Sequence, residues 1–343
     1  AEPDSTSLAA TPAFTYPLSL TAPEGYRITE QYNGGSVPTV DAGGNTRGTD
    51  SNFDPATGTT ERFYLKADGV GDMTYDLGLI RTRELTITKK GDNANNVAGA
   101  VFHVYGPYYQ MPTGISASDF VATITTTANG STTVFENQDG YLNAYAYYVV
   151  VEDSVPSPYS DDMFEVTPGN AEVPESMTGV EAGKKCFVLK PYAGTDVTGA
   201  AKDAVTVYND YVSSGSLTIA GTKELEGGTL TDGAYTFELS STNDPDFAGG
   251  KTLTAPAAAN GTFAFDMLTY DYEDVRTQRG LDKYGNPGGT GTGDYIYTLK
   301  EIEGSVSGVE YDKTLYTIRV QLSDSGATGK ISVYVQVKNE TTG

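Results

Sequence analysis

Short runs in which apolar and polar residues alternate, each closed by Gly, Asn, Asp or Pro, recur from one end of the chain to the other. An alternation of period two puts every second side chain on one face of an extended strand. "SLTIAGTKE", "YAYYVVVED" and "KISVYVQVKN" are of this kind. Asn129-Gly130, between "VATITTTA" and "STTVF", is a strong hairpin-turn signal. No long segment carries a helical period. The pattern predicts an all-β protein of tandem Ig-like β-sandwich domains. The 25 tyrosines fit strand faces and the 40 glycines fit turns.

Three units are expected: residues 1–83, 84–213 and 214–343, with Ser213-Ser214-Gly215 as a short polar joint between the last two. The balance of 45 acidic and 22 basic residues, a net charge of −23, disfavours nucleic acid, which needs a basic face. No apolar stretch is long enough to span a membrane. The single Cys186 permits no internal disulfide, and the single His103 argues against a histidine-based metal site; both read as structural. An extracellular chain of this kind needs another way to stabilise its domains.

The second and third units share a scheme. Each opens with a strand whose core-facing parity ends on lysine: Leu85, Ile87, Lys89 in one, and Leu217, Ile219, Gly221, Lys223 in the other. Each has a late strand bearing a glutamate, Glu152 after "YYVVV" and Glu301 after "YIYTLK". Each closes with a strand whose inward parity ends on asparagine, Asn209 after Val205 and Val207, and Asn339 after Val333, Val335 and Val337. A lone buried ammonium is costly, so the group prefers to be a neutral amine, which is a nucleophile. A carboxyl group in the same apolar pocket tends to stay protonated. Set against the asparagine carboxamide it would polarise the carbonyl, the amine would attack the side-chain carbon, and ammonia would leave. The product is an amide between two side chains, made once per domain without turnover. For one unit alone, a solvated strand-end lysine and a turn asparagine would be the simpler reading. The repeat of order and parity in two units favours the cross-link.

"LTITKKGDNANNVAGAVFHVYG" followed by "YYVVVEDSVPSPY" resembles the collagen-adhesin B-type (Cna-B) domain of Gram-positive surface proteins, over residues 84–212. Val97 stands where that family has leucine, and Ser157-Pro158-Tyr159 replaces its Gly-Tyr ending. "GTKELEGGTLTDGAYTFEL", "GDYIYTLKEIEG" and "GVEYDKTLYTIRV" resemble the FctA-type pilin domain, over residues 215–343. Both families form acid-assisted Lys–Asn isopeptide bonds. The resemblance therefore implies Lys89–Asn209 assisted by Glu152, and Lys223–Asn339 assisted by Glu301. Residues 1–83 resemble part of the B-type repeat of serine-aspartate-repeat adhesins, with Ser19 where the cross-linking families carry glutamate, so no bond is expected there.

These resemblances imply a structural, non-enzymatic shaft subunit of a cell-wall pilus. Its expected partners are further copies of itself, a sortase, tip or base pilins, and host surface ligands. The inter-subunit lysine is expected at Lys202, in the small-residue stretch "DVTGAAKDA", with Lys190 and Lys66 as alternates; the Y-P-K motif of such pilins is absent. The chain closes on "NETTG" without an L-P-x-T-G motif, so a processed or trimmed end is expected. No cofactor is required. Asp50, Asn52 and Asp54 alternate in "DSNFD" as candidate calcium ligands, with an Asx-rich turn as the equal alternative. "GNPGGTGTGDY" lacks the lysine and following helix of a phosphate loop and reads as a flexible loop. The rival reading is a monomeric adhesin stalk or host-ligand-binding region, with exposed tyrosines and the loop 271–294 as its contact surface.

Overall fold

The computed structural model describes residues 15–29, 53–60, 63–64, 77–134, 142–167, 170–196 and 198–340. In the first unit these form an antiparallel pair, Thr15–Tyr16 with Phe63–Tyr64, and two bridges, Ser19 to Thr59 and Phe53 to Thr60. Strand β1 (Tyr26–Ile28) lies antiparallel along the start of β2 (Leu79–Gly91), with Tyr26 opposite Arg81. The boundary expected at residue 83 therefore falls inside a continuous strand. Gly25 permits the approach: its φ is 78°, and a Cβ there would lie 1.9 Å from the Gly199 backbone.

The second unit is a two-sheet sandwich. One sheet runs in the order β7 (Cys186–Leu189), β5 (Tyr147–Ser154), β3 (Val101–Tyr108), β4 (Phe120–Thr125), with Ala171–Glu172 added at the β7 edge. The other runs β6 (Tyr159–Thr167), β8 (Ala201–Tyr211), β2, β1. The first and last strands of the unit, β2 and β8, are parallel neighbours, in register from Ala201 opposite Arg83 to Asn209 opposite Gly91. Every second residue of β2 from Arg81 to Lys89 is buried, as the alternation requires. Leu85, Ile87, Phe102, Val104, Val150, Phe187, Leu189, Val205 and Val207 form the core between the sheets. Each such side chain contributes about 1.5–3 kcal/mol of burial. The two inward arginines are paired: Arg83 with Asp203 at 2.6 Å, and Arg81 with Asp196 at 3.2 Å and the Gly199 carbonyl at 3.0 Å.

The third unit is built on a five-stranded sheet, β12 (Thr252–Pro256), β11 (Thr236–Ser241), β15 (Tyr295–Ile302), β16 (Tyr316–Asp324), β17 (Ile331–Asn339). Facing it are two short pairs: β9 (Ser214–Leu217) with β14 (Leu268–Asp271), and β10 (Ala220–Thr222) with β13 (Thr262–Ala264). Its opening strand meets the closing strand at one parallel bridge, Ser214 to Lys330. Beyond that bridge the inward parity of β17 is open, with Val335 41% and Val337 63% exposed.

Residues 271–294 are more ordered than a binding loop. Asp271 caps helix α1 (Tyr272–Arg279) by accepting the N–H groups of Glu273 and Asp274, and Gly280 ends it at φ 66°. The glycine-rich stretch that follows is not free either. The N–H groups of Gly288 and Gly289 donate to the Gly280 carbonyl, and that of Gly293 donates to the Gln278 carbonyl. A helix C-terminus leaves carbonyls without partners, and a loop of small residues can come close enough to satisfy them. The helix packs into the third unit through Tyr272, Val275 and Gln278, and three side chains of the segment reach the second unit. Lys283 and Tyr284 both bond Glu165 at 2.8 Å, Tyr284 lies against Tyr208, and Arg276 reaches Asp92 at 3.3 Å.

The polar joint between these units is partly buried. Ser213 is 4% exposed, and Ser214 donates to the Gly329 carbonyl. Tyr211, the last residue of β8, belongs to the core of the third unit, beside Tyr272, and its hydroxyl donates to Asp324 at 2.9 Å.

Candidate functional site

Lys89, Glu152 and Asn209 come from three strands and meet inside the second sandwich. Lys89 is the last inward residue of β2 before the chain turns, Asn209 is its counterpart on β8, and Glu152 points in from β5 in the opposite sheet. Lys89 and Asn209 are fully buried, and the Glu152 side chain is 2% exposed. Lys89 Nζ lies 2.8 Å from Glu152 Oε1. The other carboxyl oxygen, Oε2, accepts a hydrogen bond from Asn209 Nδ2 at 3.0 Å, and Nδ2 also donates to the Met163 carbonyl at 2.9 Å. One carboxyl group thus bridges an amine and a carboxamide nitrogen.

The polar atoms are incompletely satisfied. Lys89 Nζ and Glu152 Oε1 are within ion-pair distance but not in hydrogen-bond orientation, and Asn209 Oδ1 is buried without a partner. A buried carbonyl oxygen without a donor, such as Asn209 Oδ1, costs about 1–3 kcal/mol. Burial, outweighing the Glu152 carboxylate beside it, pulls Lys89 down to about 8. At pH 7.5 about a quarter of such an amine is neutral, against about one in a thousand at the ordinary lysine value. The Phe164 ring, 5.9 Å from Nζ, forms one wall of the pocket.

The third unit repeats part of this arrangement. Lys223, just past β10, places Nζ 2.9 Å from Glu301 Oε2 on β15 and 5.2 Å from the centre of the Tyr235 ring. Glu301 Oε2 also accepts the Asp312 N–H at 2.9 Å, while Oε1 is buried without a partner. Lys223 and Glu301 line a cleft of about 680 Å³ between the opening strand and β17, with Phe237, Phe263, Val335 and Val337. Asn339 ends β17 opposite Tyr316 on β16. The structure therefore joins lysine to acid in both units, and lysine, acid and asparagine together in the second.

Among the other expected residues, Lys202 is 76% exposed and lies on strand β8, not in a loop, 3.4 Å from Glu84. Ala201 and Ala204 on either side of it pair with β2, which fixes the backbone while the side chain stays exposed beside Glu84. Lys190 is half-exposed and paired with Glu172 at 2.6 Å. Lys66, Asp50 and Asn52 lie outside the described residues. Asp54 accepts the Ala56 N–H at 2.8 Å in an Asx-type turn, and no group of three potential metal ligands occurs among the described residues. His103 and Tyr105 share one oxygen of Glu181, and Cys186 is buried, its thiol pushed up to about 11 by burial. Sequence reasoning missed Asp92, whose side chain accepts the Tyr211 N–H at 2.7 Å. Its setting in "KKGDN" signals only a turn.

Residues 219–343 match the FctA family, described as a Spy0128-like isopeptide containing domain. That span includes Lys223, Glu301 and Asn339, and it supports a role of the pilin or adhesin type. No curated protein sequence matches the chain. Among solved structures, the Bacillus anthracis TIE protein is 14% identical at a TM-score of 0.26, over 89% of this chain and 49% of that one. A Streptococcal ancillary pilin is 11% identical at 0.22, over 79% and 68%. The full-length major pilin SpaD from Corynebacterium diphtheriae is 14% identical at 0.22, over 76% and 65%. The chain thus spans about half the length of the first of these.

Proposed function

We propose that this chain is a structural shaft subunit of a covalently assembled pilus on a Gram-positive cell surface, its sandwiches tied by intramolecular Lys–Asn isopeptide bonds. The observation that carries the proposal is the buried contact of Lys89, Glu152 and Asn209 between the first and last strands of one sandwich.

The chemistry follows from the contacts. Neutral Lys89 Nζ attacks Asn209 Cγ, the Cγ–Nδ2 bond breaks, and Nδ2 leaves as ammonia. Two protons must change hands, one off the attacking amine and one onto the leaving nitrogen. Glu152 touches both nitrogens, so its carboxyl group can take the first proton at Oε1 and deliver the second from Oε2. Sequence reasoning assigned the acid to the carbonyl oxygen; the contacts favour the leaving nitrogen instead. Lys223, Glu301 and Asn339 would supply the second bond by the same chemistry.

In a fibre pulled from its ends, load enters a sandwich through its first and last strands. A covalent tie between β2 and β8 takes that load before the hydrogen-bond ladder is sheared. The rival reading, a monomeric stalk or ligand-binding region, would use the exposed part of residues 271–294, of which Arg276, Lys283 and Tyr284 are engaged with the second unit. In the shaft reading the chain lies outside the cell in the wall-anchored pilus, and Lys202, exposed on β8, is the proposed acceptor of the sortase-made link from the next copy.

Intact mass tests the cross-links. The folded chain should weigh two ammonias less than its sequence, and Glu152→Ala or Glu301→Ala should each restore one. A parent protein at full sequence mass would sink the proposal.

A further inference from the structure

Asn209 sits on the last regular rung between β2 and β8, opposite Gly91. Ladders fray at their ends, and here the end is where the reacting side chain is attached. In a parallel pair, one residue donates its N–H to a partner on the facing strand and its carbonyl accepts from the residue two further along. Asp92 makes the first of these bonds normally, its N–H donating to the Asn209 carbonyl at 2.9 Å. The return bond is different. The Tyr211 N–H goes to the Asp92 side chain, Oδ1, at 2.7 Å. By that point the backbone of β2 has turned away: the Ala94 N–H donates to the Gly91 carbonyl, and Ala94 is left-handed at φ 64°. The carboxylate stands in for a backbone carbonyl that the turn has removed. Asp92 is 6% exposed, and Arg276 from α1 lies 3.3 Å from its other oxygen, which leaves Oδ1 facing Tyr211.

We propose that Asp92 is a positioning residue for the Lys89–Asn209 cross-link: its backbone and side chain bracket Asn209 and hold that carboxamide on the rung where Lys89 can reach it. This rests on the cross-link reading above. Lys89 and Asn209 are carried on two strands whose register sets their backbones, with Glu152 and the Met163 carbonyl holding the side chains, so play in the final rung moves the carbon under attack relative to the amine. Misplacement by about 1 Å can cost 10²-fold in rate. After the amide forms, the covalent bond itself fixes the two strands. Asp92 is therefore needed while the bond is being made and matters little to it afterwards, a pattern that a purely structural role would not give.

The test follows ammonia loss by mass during cell-free synthesis of the full chain, in a Lys223→Ala background so that only one ammonia is at stake. Asp92→Ala should slow the loss about 10- to 100-fold. Asp92→Asn retains a side-chain carbonyl for the Tyr211 N–H and should stay near the parent rate. Asp92→Ala combined with Glu152→Ala should keep the β-sheet spectrum of Glu152→Ala alone, placing the slow step in a folded domain. If Asp92→Ala fails to fold, Asp92→Glu, which keeps the charge but moves the oxygen by a methylene, takes its place and should be slow. A parent-like rate in Asp92→Ala, or in Asp92→Glu where it is used, overturns the proposal. So does Asp92→Asn as slow as Asp92→Ala, since that would assign the effect to charge. A parent that never loses ammonia refutes the cross-link itself, and the positioning role with it.

Discussion

Replacing Lys89 and Glu152 together, by Met and Leu, separates a covalent tie from an ion pair by the sign of the stability change. If the two side chains are only a buried ion pair, exchanging both for apolar residues of similar volume is neutral or stabilises by about 1–4 kcal/mol. Asn209 would lose one acceptor but keep the Met163 carbonyl, a cost of about 1 kcal/mol that does not reverse the sign. If Lys89 is bonded to Asn209, the same exchange removes a closed loop. From 89 to 209 the loop spans 120 residue steps (209 − 89), and the loop-closure relation used for disulfides gives about 5 kcal/mol for that length. For a domain of this size, 1 kcal/mol moves Tm by roughly 3–5 °C, so the tie is worth roughly 15–25 °C. The measurement is differential scanning calorimetry of parent and Lys89→Met/Glu152→Leu, with intact mass on the same samples. The double variant should melt well below the parent and weigh one ammonia more than expected from the substitutions alone. A melting temperature equal to or above the parent's, with no change in the ammonia deficit, would refute the reasoning.

Three further outcomes are expected. Lys89 must lose its proton to attack, and its pKa is pulled down to about 8, so bond formation in the second unit should quicken about tenfold per pH unit up to roughly 8 and level off above it; a rate independent of pH from 6 to 8, read by ammonia loss, would contradict that. Lys202→Ala should abolish the ladder of covalent multimers in a cell-wall extract on a denaturing gel while leaving the subunit's mass deficit intact, and an unchanged ladder would move the link elsewhere. Tyr211→Ala removes a buried ring from the third unit's core at a cost of about 3–5 kcal/mol and should split the calorimetric unfolding of the second and third units into separate transitions; one unbroken transition would show that the polar contacts alone couple them.

Much of the site was legible because period-two alternation carries two facts at once, strand and face. Lys89 could be placed inside the second sandwich because it shares parity with Leu85 and Ile87, and Asn209 because it shares parity with Val205 and Val207. The inward arginines Arg81 and Arg83 obey the same parity, yet nothing in the alternation says that Asp196 and Asp203 will meet them. Asp92 was illegible for a related reason. A side chain that replaces a backbone carbonyl leaves no periodic trace, only an Asp in a turn. In the segment 271–294 the glycines let Gly288, Gly289 and Gly293 reach the last turn of α1, a contact that leaves no periodic trace either. In the third unit the alternation puts Val335 and Val337 on the inward parity, yet they are 41% and 63% exposed, because how much the opening strand covers them is set by packing and not by period.

The place of Tyr211 has a mechanical consequence of its own. A string of rigid bodies bends where its connections are soft, and a linker of solvated serines and glycine would be such a place. Here the last residue of one domain is lodged in the interior of the next, so flexing the connection means levering an aromatic ring out of a packed interior. Stretching and bending are then resisted by different parts of the molecule. The proposed amide between β2 and β8 would oppose extension along the axis but, lying within a single domain, would be indifferent to the angle between domains. The keyed tyrosine opposes a change of angle and has no say in extension. A filament of such subunits would be inextensible through its covalent ties and stiff between its last two domains through ordinary hydrophobic packing, and its curvature would have to be taken up at other connections along the fibre.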